Sequence, residues 1–469
     1  MTQTKEGGAA GIYGAVAMTE DKFVELLSCL DEEVETAAMC QAGIALSGDA
    51  ATLLIRDIEW VPARHYIERG PRRLKIASGG FVPGFTKAAR EGTVPLFFHS
   101  HPGGGAGPSQ DDDGVEAQLR RLALMRTGKP WFGAVIIGGT KKEPSFSARI
   151  YLDPARPPIL AEKLRVVGRQ LRFIPSATAA YSFDPVIFDR QVRAFGPKGQ
   201  QVLRSLRVAV VGAGGTGSPT FEQLVRLGVG HVILIDDDRV TQGNVTRIHG
   251  SSIADDGEKK VVVLVREGTR IGLGGEMSAV DGRVTTREVA QLLRSCDVVF
   301  GCTDDHWGRG ILSRLAYYYL VPVIDMGVVI DTDEHDRVRE VMCRITTVMP
   351  STACLICRSE VNPDWMRWEQ LAKEEREGLA AEGYAPALGT EDPSVVAYTT
   401  LTSGFAVSEL LDRLFVLGEE KVSSELRIRV LMRATSRNTR TPEWHHYCGD
   451  TFYWGLGDQP DFLDLTWPG

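Results

Sequence analysis

The segment from His99 to Asp112 reads His99-x-His101, seven residues, then Ser109-x-x-Asp112. Two imidazoles and a carboxylate are three ligands for a zinc ion, His99, His101 and Asp112. Three protein ligands leave a fourth position open for water, the pattern of a catalytic rather than a structural zinc. The histidines follow the apolar run Val94-Pro95-Leu96-Phe97-Phe98, which reads as a strand ending at the site, and alternation on a strand points both rings to one face. A Gly/Pro-rich loop then leads to Ser109-Gln110-Asp111-Asp112, a helix start where Ser and Asp are favoured in any case.

A second centre lies further on. Leu206 to Val211 has a buried-strand pattern and runs into Gly212-Ala213-Gly214-Gly215-Thr216-Gly217-Ser218. A helix is expected next, then the strand His231 to Ile235 ending in Asp236-Asp237-Asp238. Such glycines let backbone amides approach phosphates at a helix N-terminus, and Asp236, 19 residues after Gly217, is where an acid can bond a ribose hydroxyl. Up to that point a dinucleotide-binding dehydrogenase fits equally well. Asp238, Asn244, Arg247, Lys260 and Asp304 favour another chemistry. Hydride transfer has no need of an Arg, a Lys and a further Asp around a nucleotide. Cleaving ATP between its α and β phosphates does, because cations neutralise the phosphates and a carboxylate holds Mg²⁺.

Both halves resemble known families. The His-x-His, Ser-x-x-Asp spacing resembles the JAMM motif of the JAB/MPN metalloproteases. The resemblance implies a catalytic zinc on His99, His101 and Asp112, an oxyanion-stabilising Ser109 and an upstream glutamate as general base. Glu35, leading into an apolar strand, is the best candidate for that base; Glu32 and Glu33 compete. The second half, from about Phe188 to residue 415, resembles the ThiF, MoeB and E1-like adenylating enzymes. That resemblance implies that Gly212, Gly214, Gly215, Gly217 and Ser218 cradle ATP, with Asp238 and Asn244 in the same motif. Asp236 takes the ribose, Arg247 and Lys260 the phosphates and Asp304 the magnesium. It also implies a homodimer in which Arg190, in Phe188-Asp189-Arg190-Gln191, reaches into the partner's site, and places Pro393-Ser394-Val395-Val396 at the start of a late helix.

The chain departs from the second pattern in two places. Cys354-x-x-Cys357 stands where the family carries half of a four-cysteine zinc site, yet no second Cys-x-x-Cys follows. His445-x-x-Cys448 has the same spacing as the missing pair, so a Cys3His structural zinc on Cys354, Cys357, His445 and Cys448 is expected, with His446 as a substitute for His445. The ubiquitin-activating relatives also pass the acyl group to a cysteine, often in the loop here spanning Arg358 to Asp392, which holds no cysteine. Ser359, Tyr384 and Thr390 are its hydroxyl side chains. Direct attack by a partner's thiol, an oxyester, or a swing-in of Cys302 or Cys343 all remain open, with the first preferred. His249 and His306 follow the ATP-site segments and could line that pocket.

The elements that must position these groups suggest an α/β chain: a JAB/MPN domain over 1–155, a Pro-rich linker over 156–185 in which Leu160–Gln170 could form a helix, a Rossmann-like doubly wound domain over 186–435, and a segment over 436–469 that packs back and completes the zinc site. The 469 residues, 43% hydrophobic and 24% charged, are ordinary for a globular protein. A net charge of −8 makes no electrostatic case for nucleic acid or an anionic membrane. No signal peptide and no membrane span is visible, and 8 cysteines are too sparse for a disulfide scaffold, so a reducing, cytoplasmic setting is expected. The expected partner of both halves is a small β-grasp, ubiquitin-like protein with a Gly-Gly tail, with an E2-like protein as a further candidate. The fusion thus reads as a bacterial JAB–E1 enzyme of ubiquitin-like conjugation, with a role in phage defence inferred from similar fusions. Activation of a sulfur carrier and a non-catalytic scaffold are the alternatives.

Overall fold

The computed structural model describes residues 13–467 except 49, 336, 372–373, 377, 379–392 and 418–422. It divides into two compact units, one of residues up to Ala180 together with Gly455–Asp461, the other of Tyr181–Trp454 and Phe462–Gly469.

The first unit is built on β1 (Tyr13–Thr19), α1 (Glu20–Leu27), β2 (Ala37–Ser47), β3 (Ala50–Trp60), β4 (Tyr66–Gly70), β5 (Arg73–Ile76), α2 (Val82–Glu91), β6 (Val94–Pro102), α3 (Gln110–Thr127), β7 (Phe132–Gly139), β8 (Pro144–Tyr151), β9 (Ile159–Val167) and β10 (Arg172–Pro175). Its main sheet runs β1-β3-β2-β6-β7-β8-β9-β10, and β9 also pairs with β1, closing the sheet into a ring. Strand alternation sorts the core. Leu96, Phe98, Val135, Ile137 and Phe146 point into the ring. Phe97 and Ala134 point outward, where Phe85 of α2 and Leu119 and Ala123 of α3 cover them. His99 and His101 share the parity of Phe97, so they lie on the face that α3 covers.

Two expectations are corrected here. Residues 156–185 are not a linker, because β9 and β10 lie within them and β9 seals the ring. Leu160–Gln170 forms no helix: Leu160–Val167 lies in β9 and residues 168–170 are a bend, and the alternating exposure of Leu160, Ala161, Glu162 and Lys163 matches a ladder of period two beside β1. The first unit therefore runs to Ala180, past the expected end at 155. The segment after 435 is shared as well. β6 pairs with β2 only over Ala37–Ala42, and Gly455–Asp461 of the same unit covers the edge beyond. There Asp458 N–H donates to the Ile44 carbonyl at 2.7 Å, and Leu46 N–H donates to the Asp458 carboxylate at 2.7 Å.

The second unit holds α4 (Asp189–Ser205), β11 (Arg207–Val211), α5 (Gly217–Arg226), β12 (His231–Ile235), α6 (Lys260–Ile271), β13 (Glu276–Val280), α7 (Arg287–Leu292), β14 (Val298–Gly301), α8 (His306–Tyr318), β15 (Val323–Thr332), β16 (Val338–Val348), α9 (Pro363–Glu369), α10 (Val396–Phe415), β17 (Glu425–Arg429) and β18 (Ala434–Asn438). Its sheet order is β13-β12-β11-β14-β15-β16-β17-β18. The first five strands are parallel and the last three antiparallel. The order reverses at β11, which has β12 on one side and β14 on the other. That is the topological switch point where open α/β sheets bind ligands. Among the described residues no helix is long and apolar enough to cross a membrane.

Candidate functional site

In the first unit His99 and His101 end β6 and Asp112 sits in the first turn of α3. Ser109 caps that helix: Asp112 N–H donates to its hydroxyl, and the hydroxyl donates to the Asp112 carboxylate at 2.7 Å. The capping box turns Asp112 toward the strand. His99 Nε2 lies 3.1 Å from His101 Nε2 and 3.1 Å from Asp112 Oδ1. Ligands of a tetrahedral zinc, each about 2.1 Å from the ion, stand roughly 3.4 Å apart, so the three atoms suit one zinc. His101 Nδ1 faces the Gly105 carbonyl at 3.0 Å, the outer contact expected of a ligating imidazole. Glu35 Oε1 is 3.9 Å from His101 Nε2. Burial raises the Glu35 carboxyl above its usual range. Burial would raise Asp112 too, but His99 and the Ser109 donors outweigh it and hold that carboxyl far below normal. Glu32 is exposed and 3.8 Å from Arg69, and Glu33 is exposed, so Glu35 is the acid brought to the cluster. Ser109 is spent on the Asp112 cap.

Glu35 is held by its backbone. Its N–H donates to the Gly70 carbonyl at 2.9 Å and its carbonyl accepts from Arg69 Nε at 2.9 Å. Next to it, Thr36 N–H donates to the hydroxyl of Ser100, the residue between the two histidines, at 3.0 Å.

In the second unit a cleft of about 900 Å³ opens at the switch point. Gly212, Gly214, Gly215, Asp236, Asp238, Arg247, Lys260 and Asp304 line it, with Pro393, Ser394 and Thr399. Gly212 has φ +99°, and a Cβ there would stand 2.6 Å from the Cys302 carbonyl oxygen. At Gly214 a Cβ would meet nothing within 4 Å, so this is where the loop leaves room for a ligand. The Asp236 carboxylate accepts from Ala213 N–H at 2.7 Å and from Asp238 N–H at 2.8 Å, tying the glycine loop to the end of β12. Lys260, first residue of α6, places Nζ 2.7 Å from Asp238 and 3.8 Å from Asp236.

Three residues of the expected set, Gly217, Ser218 and Asn244, do not line the cleft, and Gly217 packs against the Gly212 carbonyl. The Ser218 hydroxyl is buried, donates to the Gly214 carbonyl at 2.8 Å and accepts from His249 N–H at 3.0 Å. Asn244 Oδ1 accepts from Thr241 N–H at 2.8 Å. Both brace turns. Arg190 is exposed near the start of α4 and does not line the cleft of its own chain. His249 is also outside the lining, whereas His306 is part of it.

The sequence reading missed a buried floor. Arg309 makes a two-pronged contact to Asp325 at 3.0 and 2.8 Å, and Arg344 Nη2 joins Asp325 at 2.8 Å. Arg344 also pairs with Glu360. Asp325 is fully buried, and the two guanidiniums overcome desolvation to keep its carboxyl below its usual value. Scattered over 52 positions (309 to 360), on a helix, two strands and a loop, these residues form no motif.

A third cluster joins Cys354, Cys357, His446 and Cys448. His446 Nδ1 is 3.3, 3.4 and 3.4 Å from the sulfurs of Cys354, Cys357 and Cys448, and Cys357 and Cys448 are 3.6 Å apart. Ligand atoms around a zinc with thiolates at about 2.3 Å stand roughly 3.5–3.8 Å apart, so the donor set fits. This corrects His445 to His446: the His445 side chain is mostly exposed and lies 3.7 Å from Glu443. Tyr384 and Thr390 lie outside the described residues. Cys302 lies in the cleft with its thiol pushed up by burial to about 12, and Cys343 is buried.

Residues 188–450, all in the second unit, match the ThiF family. The chain is 29% identical over 186 residues to the SAMP-activating enzyme E1 of Haloferax volcanii, covering 38% of this chain and 63% of that one. It is 32% identical over 129 residues to the sulfur carrier protein adenylyltransferase of Thermus thermophilus (28% and 48%) and 32% identical over 139 residues to the molybdopterin-synthase adenylyltransferase of Escherichia coli (29% and 56%). The chain thus spans about half to just under two thirds of the length of these curated relatives.

Proposed function

The chain belongs to the ThiF family, and on that basis we propose that its second unit adenylates the C-terminal carboxylate of a small ubiquitin-like or sulfur-carrier protein. The observation that carries this is the convergence of Lys260, Arg247 and Asp304 on a cleft whose glycine loop is open at Gly214. The carrier's carboxylate oxygen attacks the α-phosphorus of ATP, the bond to the β-phosphate oxygen breaks, and pyrophosphate leaves. Lys260 turns from Asp238 to the phosphates, Arg247 supplies a second positive charge, and Asp236 keeps lone pairs for the ribose hydroxyls. Magnesium, when bound at Asp304, supplies neutralisation of the departing pyrophosphate. Catalysis of this kind is positioning and electrostatics. A homodimer in which the exposed Arg190 reaches the partner's cleft completes the reading.

The relatives named for sulfur carriers favour that class of partner over a conjugated modifier. The chain's own thiols agree. Cys302 is the thiol that lines the cleft, and burial disfavours the thiolate that an acyl acceptor needs. The adenylate is therefore attacked by a thiol or persulfide supplied by another protein, with no E2-like step required.

The His99–His101–Asp112 cluster supports a second activity, a zinc-dependent peptidase acting after the terminal glycine of the same carrier, in precursors or conjugates. Zinc, when bound there, supplies Lewis acidity toward the scissile carbonyl. Glu35 takes a proton from the attacking water and delivers it to the leaving amine. The Cys3His cluster with His446 is a structural zinc site.

ATP–pyrophosphate exchange tests the main reading. Exchange should depend on a β-grasp protein ending in Gly-Gly and vanish in Lys260→Ala; absence of exchange with any such carrier from the same host rejects it. A His99→Ala variant expressed in that host separates the partner classes. Carrier accumulating on lysines of other proteins restores conjugation, and free carrier bearing a thiocarboxylate supports sulfur transfer.

A further inference from the structure

His306 is the first residue of α8 and lines the cleft beside Asp304, Asp305 and Arg309. Its Nδ1 lies 3.2 Å from the backbone nitrogen of Asn362. A backbone N–H can only donate, so Nδ1 is the acceptor and carries no proton, which leaves the ring proton on Nε2. The ring is fixed further by its own backbone N–H, bonded to Glu369 at 3.1 Å, and by Trp365, whose ring centre is 5.8 Å away. Among the described residues none accepts a hydrogen bond from Nε2.

A neutral ring beside two aspartates adds a donor without drawing them into an ion pair, as Lys260 is drawn to Asp238. The helix amides nearby are already spent: Glu369 takes Trp307 N–H at 2.6 Å and Asp305 takes Gly308 N–H. Nε2–H is a donor at this end of the cleft that no described residue takes up.

We infer that His306 is a ligand-binding residue of the adenylation site, donating from Nε2 to an anionic oxygen of the β,γ-phosphate portion of ATP, next to Asp304. The inference rests on the reading that the cleft binds ATP. The residue is invisible as a motif, because its competence comes from Asn362, Glu369 and Trp365, all more than 50 positions away in the chain.

The test is calorimetric titration of the full chain with the α,β-methylene analogue of ATP and, separately, with AMP, both with magnesium. His306→Phe should weaken the triphosphate analogue by roughly tenfold, the scale of a lost hydrogen bond to a charged group, and leave AMP unchanged. His306→Gln, whose side-chain amide can present an N–H at a similar reach, should restore most of the loss, which a merely structural ring would not allow. Equal binding of the analogue by wild type and His306→Phe overturns the inference, and so does an equal loss for AMP. Failure of wild type to bind the analogue overturns the ATP reading itself. If His306→Phe leaves both nucleotides unaffected but raises KM for the carrier protein, the donor serves the carrier's carboxylate and the phosphate assignment is wrong.

Discussion

Replacing Gly217 or Gly214 by alanine should separate two jobs that the glycine loop does. Gly217 is the first residue of α5. Helix propensity alone makes Gly217→Ala stabilising, by about 0.5–1 kcal/mol. The packing says the opposite. A Cβ there falls within bonding contact of the Gly212 carbonyl oxygen, 2.8 Å from the carbonyl carbon and 3.4 Å from Cys302 Cβ. The obstacle is backbone, held by β11 and by the Gly212 N–H bond to the Ile235 carbonyl at 2.8 Å. No rotamer change can relieve it. Overpacking costs about 1–3 kcal/mol, and a rigid obstacle puts this case at the upper end, so the steric term wins by about 2 kcal/mol or more. At about 2–4 °C per kcal/mol for a unit of this size, the melting temperature falls by roughly 4–10 °C. Gly214 is different: its Cβ meets nothing, and its φ is not in the left-handed region. Gly214→Ala should shift the melting temperature by no more than about 1–2 °C. Its methyl group points into the space that phosphates would enter, so nucleotide affinity should fall by about tenfold or more. Differential scanning calorimetry of the full chain, with and without an ATP analogue, reads both effects, and the transition raised by the analogue reports on the second unit. An unchanged melting temperature in Gly217→Ala, or a destabilised Gly214→Ala that binds normally, would refute the division of roles.

Lys260→Ala should weaken the ATP analogue by about tenfold or more, since it removes a charged donor to phosphate; unchanged affinity in calorimetry takes Lys260 out of the phosphate site. His446→Ala should lower bound zinc by one ion per chain in elemental analysis and lower the melting temperature, while His445→Ala should change neither; the opposite pattern reinstates His445. The peptidase rate should rise with pH through the ionisation of a carboxylate, because Glu35 acts as a base only when ionised. Glu35→Gln should lose about 10²–10⁴-fold in rate while keeping its zinc, and a flat pH profile over the acid range removes Glu35 from that role.

Much of the chemistry was legible as short-range spacing. His99 and His101 fall on one face because strand side chains alternate, and Asp112 reaches them because Ser109 starts a helix three residues earlier. Gly212 to Gly217 between an apolar strand and a helix announces a phosphate loop, since few other sequences allow φ +99° and backbone packing this close. Boundaries were less legible. Five prolines between 154 and 185 suggest a connector, yet the residues between them supply the strand that closes the ring. Only the free edge of β1 makes that strand worthwhile, and the edge is not a local property.

The sequence by itself determined the types of side chain available: two histidines and an aspartate with donors suited to one metal, a glycine loop with Arg247, Lys260 and Asp304 suited to a nucleotide, and three cysteines and a histidine pair suited to another metal. Tertiary structure alone decided which members of those sets meet. It chose His446 over His445, because one imidazole faces three sulfurs and its neighbour faces outward. It withdrew Ser218 and Asn244 to brace turns, and it laid Arg309, Asp325, Arg344 and Glu360 beneath the cleft as one buried ion network. Ligand geometry is set within tenths of an ångström, and groups distant in the chain come that close only when the packing of the whole unit holds them there, which no spacing along the chain encodes.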